Sequence, residues 1–216
     1  FAQNQGSFLA GAAAALFTQH TEIDGVNEDA VIGWVGGMDI PVLQDFFVGY
    51  EQGAKYINPD ITVLQSFAGT WNDPLKGKEL TLAQYEQGAD IVMNVASGTG
   101  PGILEGAKEA GKYAIGVDLN QDYDQPGSIL TSMVKRVDTA CYSVIESVVN
   151  GTFEGNSVSY LDVAAEGVSL TDFAVIKEAL GDKFPEEILT KVTEIEEKII
   201  SGEIVVENYE GFGPQK

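Results

Sequence analysis

Residues 91–136, IVMNVASGTGPGILEGAKEAGKYAIGVDLNQDYDQPGSILTSMVKR, decide the fold. Three short apolar runs are separated by a glycine turn with a helical segment and by a polar loop, which is typical of βαβ units in a parallel sheet. The first run ends at the turn 98–100, the second at Asp118 and the third at Lys135 and Arg136. Ligands of open α/β sheets bind outside the carboxyl ends of the strands. We therefore expect backbone N–H groups, a carboxylate and an ammonium to meet at one edge.

The chemistry of these groups favours a polyol ligand. A carboxylate such as Asp118 can accept hydrogen bonds from two sugar hydroxyls, and an ammonium such as Lys135 can donate to the same oxygens. The turn at Gly98 and Gly100 offers free N–H groups at a helix N-terminus, although an ordinary turn that starts a helix is equally compatible with GTGPG. Arg136 should point away from Lys135 in an extended strand and form a structural ion pair.

The rest of the chain continues the alternation of strands and helices. Further strands are predicted at 31–39, 61–69 and 90–97, and further helices at 2–17, 41–58, 74–88, 101–110, 137–151 and 184–204. The strands are mostly continuous apolar runs, as a sheet covered on both faces requires. Trp34 is expected in the core. The last helix repeats apolar residues at helical spacing: Ile188, Val192, Ile195 and Ile199.

Composition excludes several functions. Twelve basic against 33 acidic residues give a net charge of −21, which disfavours nucleic acid and direct binding to an anionic membrane surface. The lone cysteine, Cys141, excludes an internal disulfide and is expected to be a small buried hydrophobe. The lone histidine, His20, lies in a polar linker and is expected at the surface. We therefore expect no nucleophile–base pair, no metal, no cofactor and no enzymatic activity.

Three segments carry a resemblance that covers essentially the whole chain. They are 31–111, from VIGWVGGMD to AKEAG, AIGVDLNQ at 114–121 and ILTSMVKRVDTA at 129–140, and QGSFLAGAAAAL at 5–16 agrees with them. In order and spacing they resemble the basic membrane protein family. These are surface lipoproteins that serve as substrate-binding proteins of ABC importers, many of them purine nucleoside receptors.

The resemblance implies an α/β type I periplasmic-binding-protein fold, with two doubly wound parallel-sheet lobes, a hinge, and the ligand in the cleft. It also implies roughly a further third of the length before Phe1, the size of an ordinary domain, so that the first lobe is incomplete here. On this basis 1–30 is assigned to the helix and linker of the first lobe. Residues 31–156 form a complete second lobe, and 157–216 form a hinge crossing and the C-terminal part of the first lobe.

The resemblance also implies functions for four residues. Trp71 falls where the family places an aromatic ring, more commonly phenylalanine, against the purine. Gly98 falls in the turn that approaches the ligand, Asp118 where an acid binds ribose hydroxyls, and Lys135 where a lysine joins that acid. Three further candidates border the same edge: Asp39, Asn94 and Gly100.

The leading expectation is a nucleoside-binding protein that delivers its ligand to ABC permease subunits outside the cytoplasm, on the cell surface or in the periplasm. Its membrane contact would be only a lipid anchor outside this chain. One alternative is a nucleotide-dependent oxidoreductase, because Gly98 and Asp118 have about the 20-residue spacing of a dinucleotide fingerprint. However, GTGPG is G-x-G-x-G and lacks the required G-x-G-x-x-G. Another alternative is the effector domain of a transcription regulator, which shares the fold.

Overall fold

A single six-stranded sheet organises the chain. The computed structural model describes residues 1–212, so the last four residues of the predicted segment 157–216 lie outside it. The strands are β1 (Val31–Gly36), β2 (Thr62–Phe67), β3 (Ala89–Val95), β4 (Tyr113–Asp118), β5 (Ile129–Lys135) and β6 (Val168–Leu170). Their order is β2-β1-β3-β4-β5-β6, with β1–β5 parallel and β6 antiparallel to β5.

Seven α-helices accompany the sheet in this part of the chain. They are α1 (Gln3–Phe17), α2 (Pro41–Ile57), α3 (Pro74–Glu86), α4 (Gly100–Ala110), α5 (Val137–Val149), α6 (Ala174–Leu180) and α7 (Glu187–Ile200). Local sequence explains several ends. A proline opens both α2 and α3, where its missing N–H costs nothing. Asp73 caps α3 by accepting from the N–H of Lys76, and α4 ends at Gly111 in a left-handed conformation.

Two apolar layers cover the two faces of the sheet. Neighbouring residues of β1 point to opposite layers: Trp34 belongs to the layer that includes α1, α2 and α7, and Val35 to the layer that includes α3 and α4. Both side chains are fully buried, which confirms the prediction that Trp34 is a core residue. The sheet is therefore doubly wound, as the continuous apolar strands indicated.

Helix α1 lies in this core because its small residues allow an unusually close approach to α2. A Cβ atom on Gly53 would stand 1.9 Å from the carbonyl oxygen of Phe8, and one on Gly49 would stand 2.1 Å from that of Asn4. Only glycine fits at such contacts. The alanine-rich stretch 10–15, in which Gly11 makes the same kind of contact, is fully buried.

The predicted division of the chain at residues 30 and 156 stays a prediction. Within residues 1–212, α1, β6 and α7 share one apolar layer with the sheet, although 1–30 and the segment from 157 are predicted to belong to a first lobe. Conversely α5 was assigned to the second lobe, yet it has no buried residue. Helical periodicity shows that a helix has an apolar face, but it does not identify the element that covers that face.

Helix α5 does not pack on the sheet, and it therefore presents an exposed apolar surface, which we call the α5 face. Its large apolar residues are all exposed: Val137, Tyr142, Val144, Ile145, Val148 and Val149 in α5, with Phe153, Val158 and Tyr160 after it. Cys141 is exposed as well, so the prediction that it is buried is wrong. The reason is the same: the residues around Cys141 are apolar, but no described part of the chain packs over them.

The chain leaves the sheet after β5 to form α5 and returns to the sheet at β6, beside the same point. We call this place the three-passage crossing. The N–H of Arg136 donates to the carbonyl of Gly167 at 2.9 Å, and Lys135 pairs with Val168. The N–H of Ala2 donates to the carbonyl of Leu161, also at 2.9 Å. Residues 1–2, 135–136 and 161–168 therefore run next to one another.

We expect the 216-residue chain to self-associate through the α5 face, because contiguous exposed apolar surface favours association. Changing Ile145, Val148 and Val149 together to serine should shift the sedimentation profile towards monomer. The matched control changes two exposed apolar residues elsewhere, Leu75 and Val205, to serine, and it should leave association unchanged. Equal effects of the two variants would contradict this assignment.

Candidate functional site

The parallel sheet brings the predicted site residues to one edge. Trp71 follows β2, Gly98 follows β3, Asp118 ends β4 and Lys135 ends β5. Parallel strands have their carboxyl ends at the same edge of the sheet, and an open α/β sheet binds ligands there. The sheet thus places the four residues on the same side of the molecule without any help from their side chains.

Asp118 and Lys135 form a charged pair at this edge. The distance from Asp118 Oδ1 to Lys135 Nζ is 2.8 Å, which is close enough for an ion pair, but the alignment is not that of a hydrogen bond, and the buried Oδ1 atom has no hydrogen-bond donor. The side chains are 50% and 25% exposed, respectively. They line an open pocket with Asn120, Val134 and Arg136. Both side chains therefore present exposed surface to a small ligand in this pocket.

The backbone at Asp118 is strained. Its φ is +65°, and the N–H of Leu119 donates to the carbonyl of Val117 at 2.7 Å, which makes a γ-turn centred on Asp118. Ser97, after β3, also has a positive φ of 50°. Such conformations cost about 1–3 kcal/mol each and cluster at functional sites. The edge therefore stores strain at two neighbouring strand ends.

Two aromatic rings lie beside the Lys135 ammonium. Its Nζ atom is 5.9 Å from the centroid of Phe1 and 5.8 Å from that of Phe46 in α2. At these distances each ring attracts the cation weakly. The sequence analysis did not identify Phe46, since an apolar residue in the first turns of an amphipathic helix looks like any other core residue. The rings restrict where the ammonium can lie.

Trp71 and the Gly98 turn contact each other. A Cβ atom on Gly98 would be 2.9 Å from the Trp71 carbonyl oxygen and 2.8 Å from Asn72 Oδ1. The indole of Trp71 packs on Gly37, where a Cβ would be 2.5 Å from the ring. Trp71 is partly buried. The loop after β2 therefore packs directly on Gly37 and Gly98, and a larger residue at either position would displace the loop.

The other candidates lie at different depths. Asn94 is 1% exposed and supports the turn from beneath, because its Oδ1 accepts from the N–H of Ala96 and its amide would touch a Cβ on Gly100. Asp39 is exposed and accepts from Gln44 at the start of α2. Neither contacts the Asp118–Lys135 pair in the described hydrogen bonds and ion pairs of residues 1–212.

The remaining charged candidates are structural. Arg136 forms an exposed ion pair with Asp138 at 3.0 Å, as expected. His20 is near the surface and contacts two carboxylates, those of Glu22 and Glu187. Residues 1–212 contain no group of three or more histidine, cysteine, aspartate or glutamate side chains that could hold a metal ion.

Sequence analysis missed a polar cluster in the loop after β4. Asp122 is 2% exposed and accepts from the Ser132 hydroxyl at 2.6 Å. Burial raises the pKa of Asp122, while hydrogen bonds from Ser132 and Thr171 partly oppose the rise. Its neighbour Gln121 is bonded to three strands. The only signal in the sequence was the run of polar residues that follows the end of β4.

Comparison with known proteins identifies relatives across the whole described chain. Residues 1–210 match the family model of the ABC transporter substrate-binding protein PnrA-like family. Basic membrane protein D of Borreliella burgdorferi (strain JD1) is 36% identical over 81% of this chain and 51% of its own length. The ABC transporter nucleoside-binding protein BmpA of Lactococcus lactis is 32% identical over 95% of this chain and 58% of its own.

Solved structures show the same architecture. An ABC transporter solute-binding protein from Aeropyrum pernix K1 superposes with a TM-score of 0.76 at 32% identity, covering 96% of this chain and 65% of that one. A transcriptional activator of the comK gene from Bacillus halodurans has a TM-score of 0.78 at 23% identity and shares the fold. The chain spans only about half to two thirds of these proteins. Among residues 1–212 no helix is long and apolar enough to cross a membrane.

We expect the buried carboxyl of Asp122 to make stability pH-dependent. Its raised pKa means that its stabilising contribution is complete below the unfolded value of about 3.9 and is lost as the pH rises through the folded pKa. The difference in unfolding free energy between wild type and Asp122→Asn should therefore fall from pH 4 to pH 8 in urea titrations. Asp124→Asn, exposed in the same loop, controls for the loss of one charge. A pH-independent difference would refute the assignment.

Proposed function

The chain belongs to the PnrA-like family of ABC transporter substrate-binding proteins and has part of the α/β type I periplasmic-binding-protein fold, and on that premise we propose that its sheet edge binds a purine nucleoside or a similar small molecule for import. The family binds substrates and is not one of enzymes, so the oxidoreductase alternative is set aside. The nucleoside assignment is supported by the similarity to the Lactococcus lactis relative, which is an ABC transporter nucleoside-binding protein.

The observation that carries the proposal is the pair of Asp118 and Lys135 at the end of a strained turn. A carboxylate that accepts and an ammonium that donates match the two hydroxyls of a ribose, each of which is both donor and acceptor. Both side chains are partly exposed and line the open pocket. The strain at Asp118 favours a functional assignment, because a residue in a β-strand end has no structural need of a positive φ.

The other elements of the edge suit a base more than a phosphate. The indole of Trp71 provides a flat apolar surface for stacking, and the turn approaches the ligand at Gly98. The expected free donors at Thr99 and Gly100 are already used, because their N–H groups donate to the carbonyls of Ala96 and Ser97. Asp39 borders the same edge as a further polar group. A phosphate would meet the negative charges of Asp118 and Asp138, and the nearby Arg136 is already paired. We therefore propose a nucleoside ligand and not a nucleotide.

We further propose that the binding unit includes polypeptide that the relatives possess and this chain does not match. The chain spans 51% to 62% of the curated relatives' lengths. The α5 face is suited to pack against the rest of the first lobe in that polypeptide, and the three-passage crossing is suited to act as the hinge between lobes. In this proposal the protein is an extracytoplasmic, lipid-anchored receptor that passes its ligand to ABC permease subunits.

We expect Asp118→Asn and Lys135→Met each to weaken nucleoside binding about tenfold or more, because each removes a charged hydrogen-bonding partner of the ligand. Inosine and guanosine binding should be measured by calorimetry in the longest polypeptide that contains this chain. Lys78→Met is a matched control: Lys78 is 21% exposed and pairs with Glu105 and Glu109 away from the edge. Unchanged affinity in either folded site variant would disprove the site.

We expect Trp71→Ala to weaken inosine binding much more than ribose binding, because stacking acts on the base and is worth about 1–3 kcal/mol. Trp71→Phe should retain most of the affinity, since a phenyl ring still stacks. Competition titrations with inosine and ribose provide the measurement. If both ligands lose affinity equally, Trp71 only shapes the loop after β2.

A further inference from the structure

The sheet opens between β3 and β4 at its carboxyl edge. The two strands pair from Ile91 opposite Tyr113 to Met93 opposite Ile115. Beyond these residues β3 continues to Val95 and β4 to Asp118 without pairing with each other. Backbone groups buried in such a gap need other hydrogen-bond partners. The gap lies next to the γ-turn that is centred on Asp118.

The side chain of Gln121 fills this gap. Its Oε1 atom accepts from the backbone N–H of Val117 at 2.8 Å and from the Nδ2 of Asn94 at 3.2 Å. A single carbonyl oxygen thus connects β4 to β3 where the ladder between them has ended. Through Asn94 the same oxygen is connected to the turn that contains Gly98 and Gly100.

The backbone of Gln121 is fixed independently of its side chain. Its N–H donates to the Ser132 hydroxyl of β5 at 3.0 Å, and that hydroxyl donates to the buried Asp122. Gly116 makes room for this arrangement, because a Cβ there would lie 2.9 Å from Gln121 Cβ and 2.5 Å from Ser132 Oγ. The amide of Gln121 is therefore held against three strands.

The hydrogen bond between the Val117 N–H and Gln121 lies next to the γ-turn at Asp118 and helps to fix it. Val117 provides the carbonyl that closes the γ-turn around Asp118, and its own N–H is held by Gln121. A residue with a strained backbone persists only where the surrounding structure over-determines it. We propose that Gln121 is the positioning residue that holds Asp118 in its ligand-binding conformation and couples it to the Gly98 turn. This inference rests on the proposed function.

The test compares three substitutions at Gln121 with one control. Gln121→Leu keeps the approximate volume and removes the acceptor. Gln121→Asn shortens the side chain, so that its amide no longer reaches the N–H of Val117. This variant replaces the leucine variant if the latter does not unfold cooperatively. Gln121→Glu keeps an acceptor at the same reach. The control is Gln84→Leu, because Gln84 is a buried glutamine that donates to the Trp34 carbonyl and the Ser66 hydroxyl, away from Asp118.

The first readout needs no ligand. Hydrogen exchange at the Val117 amide should become at least about tenfold faster in Gln121→Leu or Gln121→Asn, because its acceptor is gone, and it should stay slow in Gln121→Glu and Gln84→Leu. Unchanged exchange in the leucine and asparagine variants would overturn the proposal. So would equally fast exchange in the glutamate variant, since that would show that the acceptor is not what matters.

The second readout is inosine binding, measured as a double-mutant cycle with Asp118→Asn. Gln121→Leu should weaken binding about tenfold in the wild-type background and much less when Asp118 is already changed, because Gln121 acts through Asp118. Equal losses in both backgrounds would overturn the positioning role. If Asp118→Asn alone leaves binding unchanged, the proposed function fails, while Val117 exchange still decides whether Gln121 holds the turn.

Discussion

Parallel pairing of β1–β5 is the constraint on which the rest of this structure depends. Each parallel connection must return the chain across the sheet, and the helices in most of these connections cover both faces, so that β1–β5 all end at the same edge. The covered faces demand continuous apolar strands, and the shared edge collects whatever polar residue ends each strand. Asp118 and Lys135 are close together because their strands are neighbours, and Gln121 can reach two strands because one pair separates early.

The elements and the charged pair could be predicted from the sequence because both depend on local pattern. Alternating apolar runs and glycine turns indicated the sheet, and the last residues of β4 and β5 indicated the pair. The γ-turn at Asp118 and the contacts of Gln121 could not be predicted, since they depend on where the pairing of β3 and β4 stops. Nothing in the local sequence marks that point.

The packing of α1 and α5 could not be predicted for a related reason. An alanine-rich helix such as α1 has a weak apolar periodicity, and its burial depends on the glycines of α2 that it contacts. Helix α5 has the stronger appearance of a core helix, yet every one of its residues remains at least partly exposed. Apolar composition measures how much a helix gains from burial, whereas the location of that burial is a property of the complementary surface.

The three-passage crossing has a mechanical consequence. Residues 1–2, 135–136 and 161–168 are held to each other by backbone hydrogen bonds and by the short β5–β6 pairing, and Val163 and Val168 anchor the third passage in the apolar layer of the sheet. Three neighbouring backbone segments resist twisting about their common axis more than bending across it. In the hinge proposed above, a lobe carried by these segments would therefore swing along one arc, and the bend would lie at the rim where Lys135 is located.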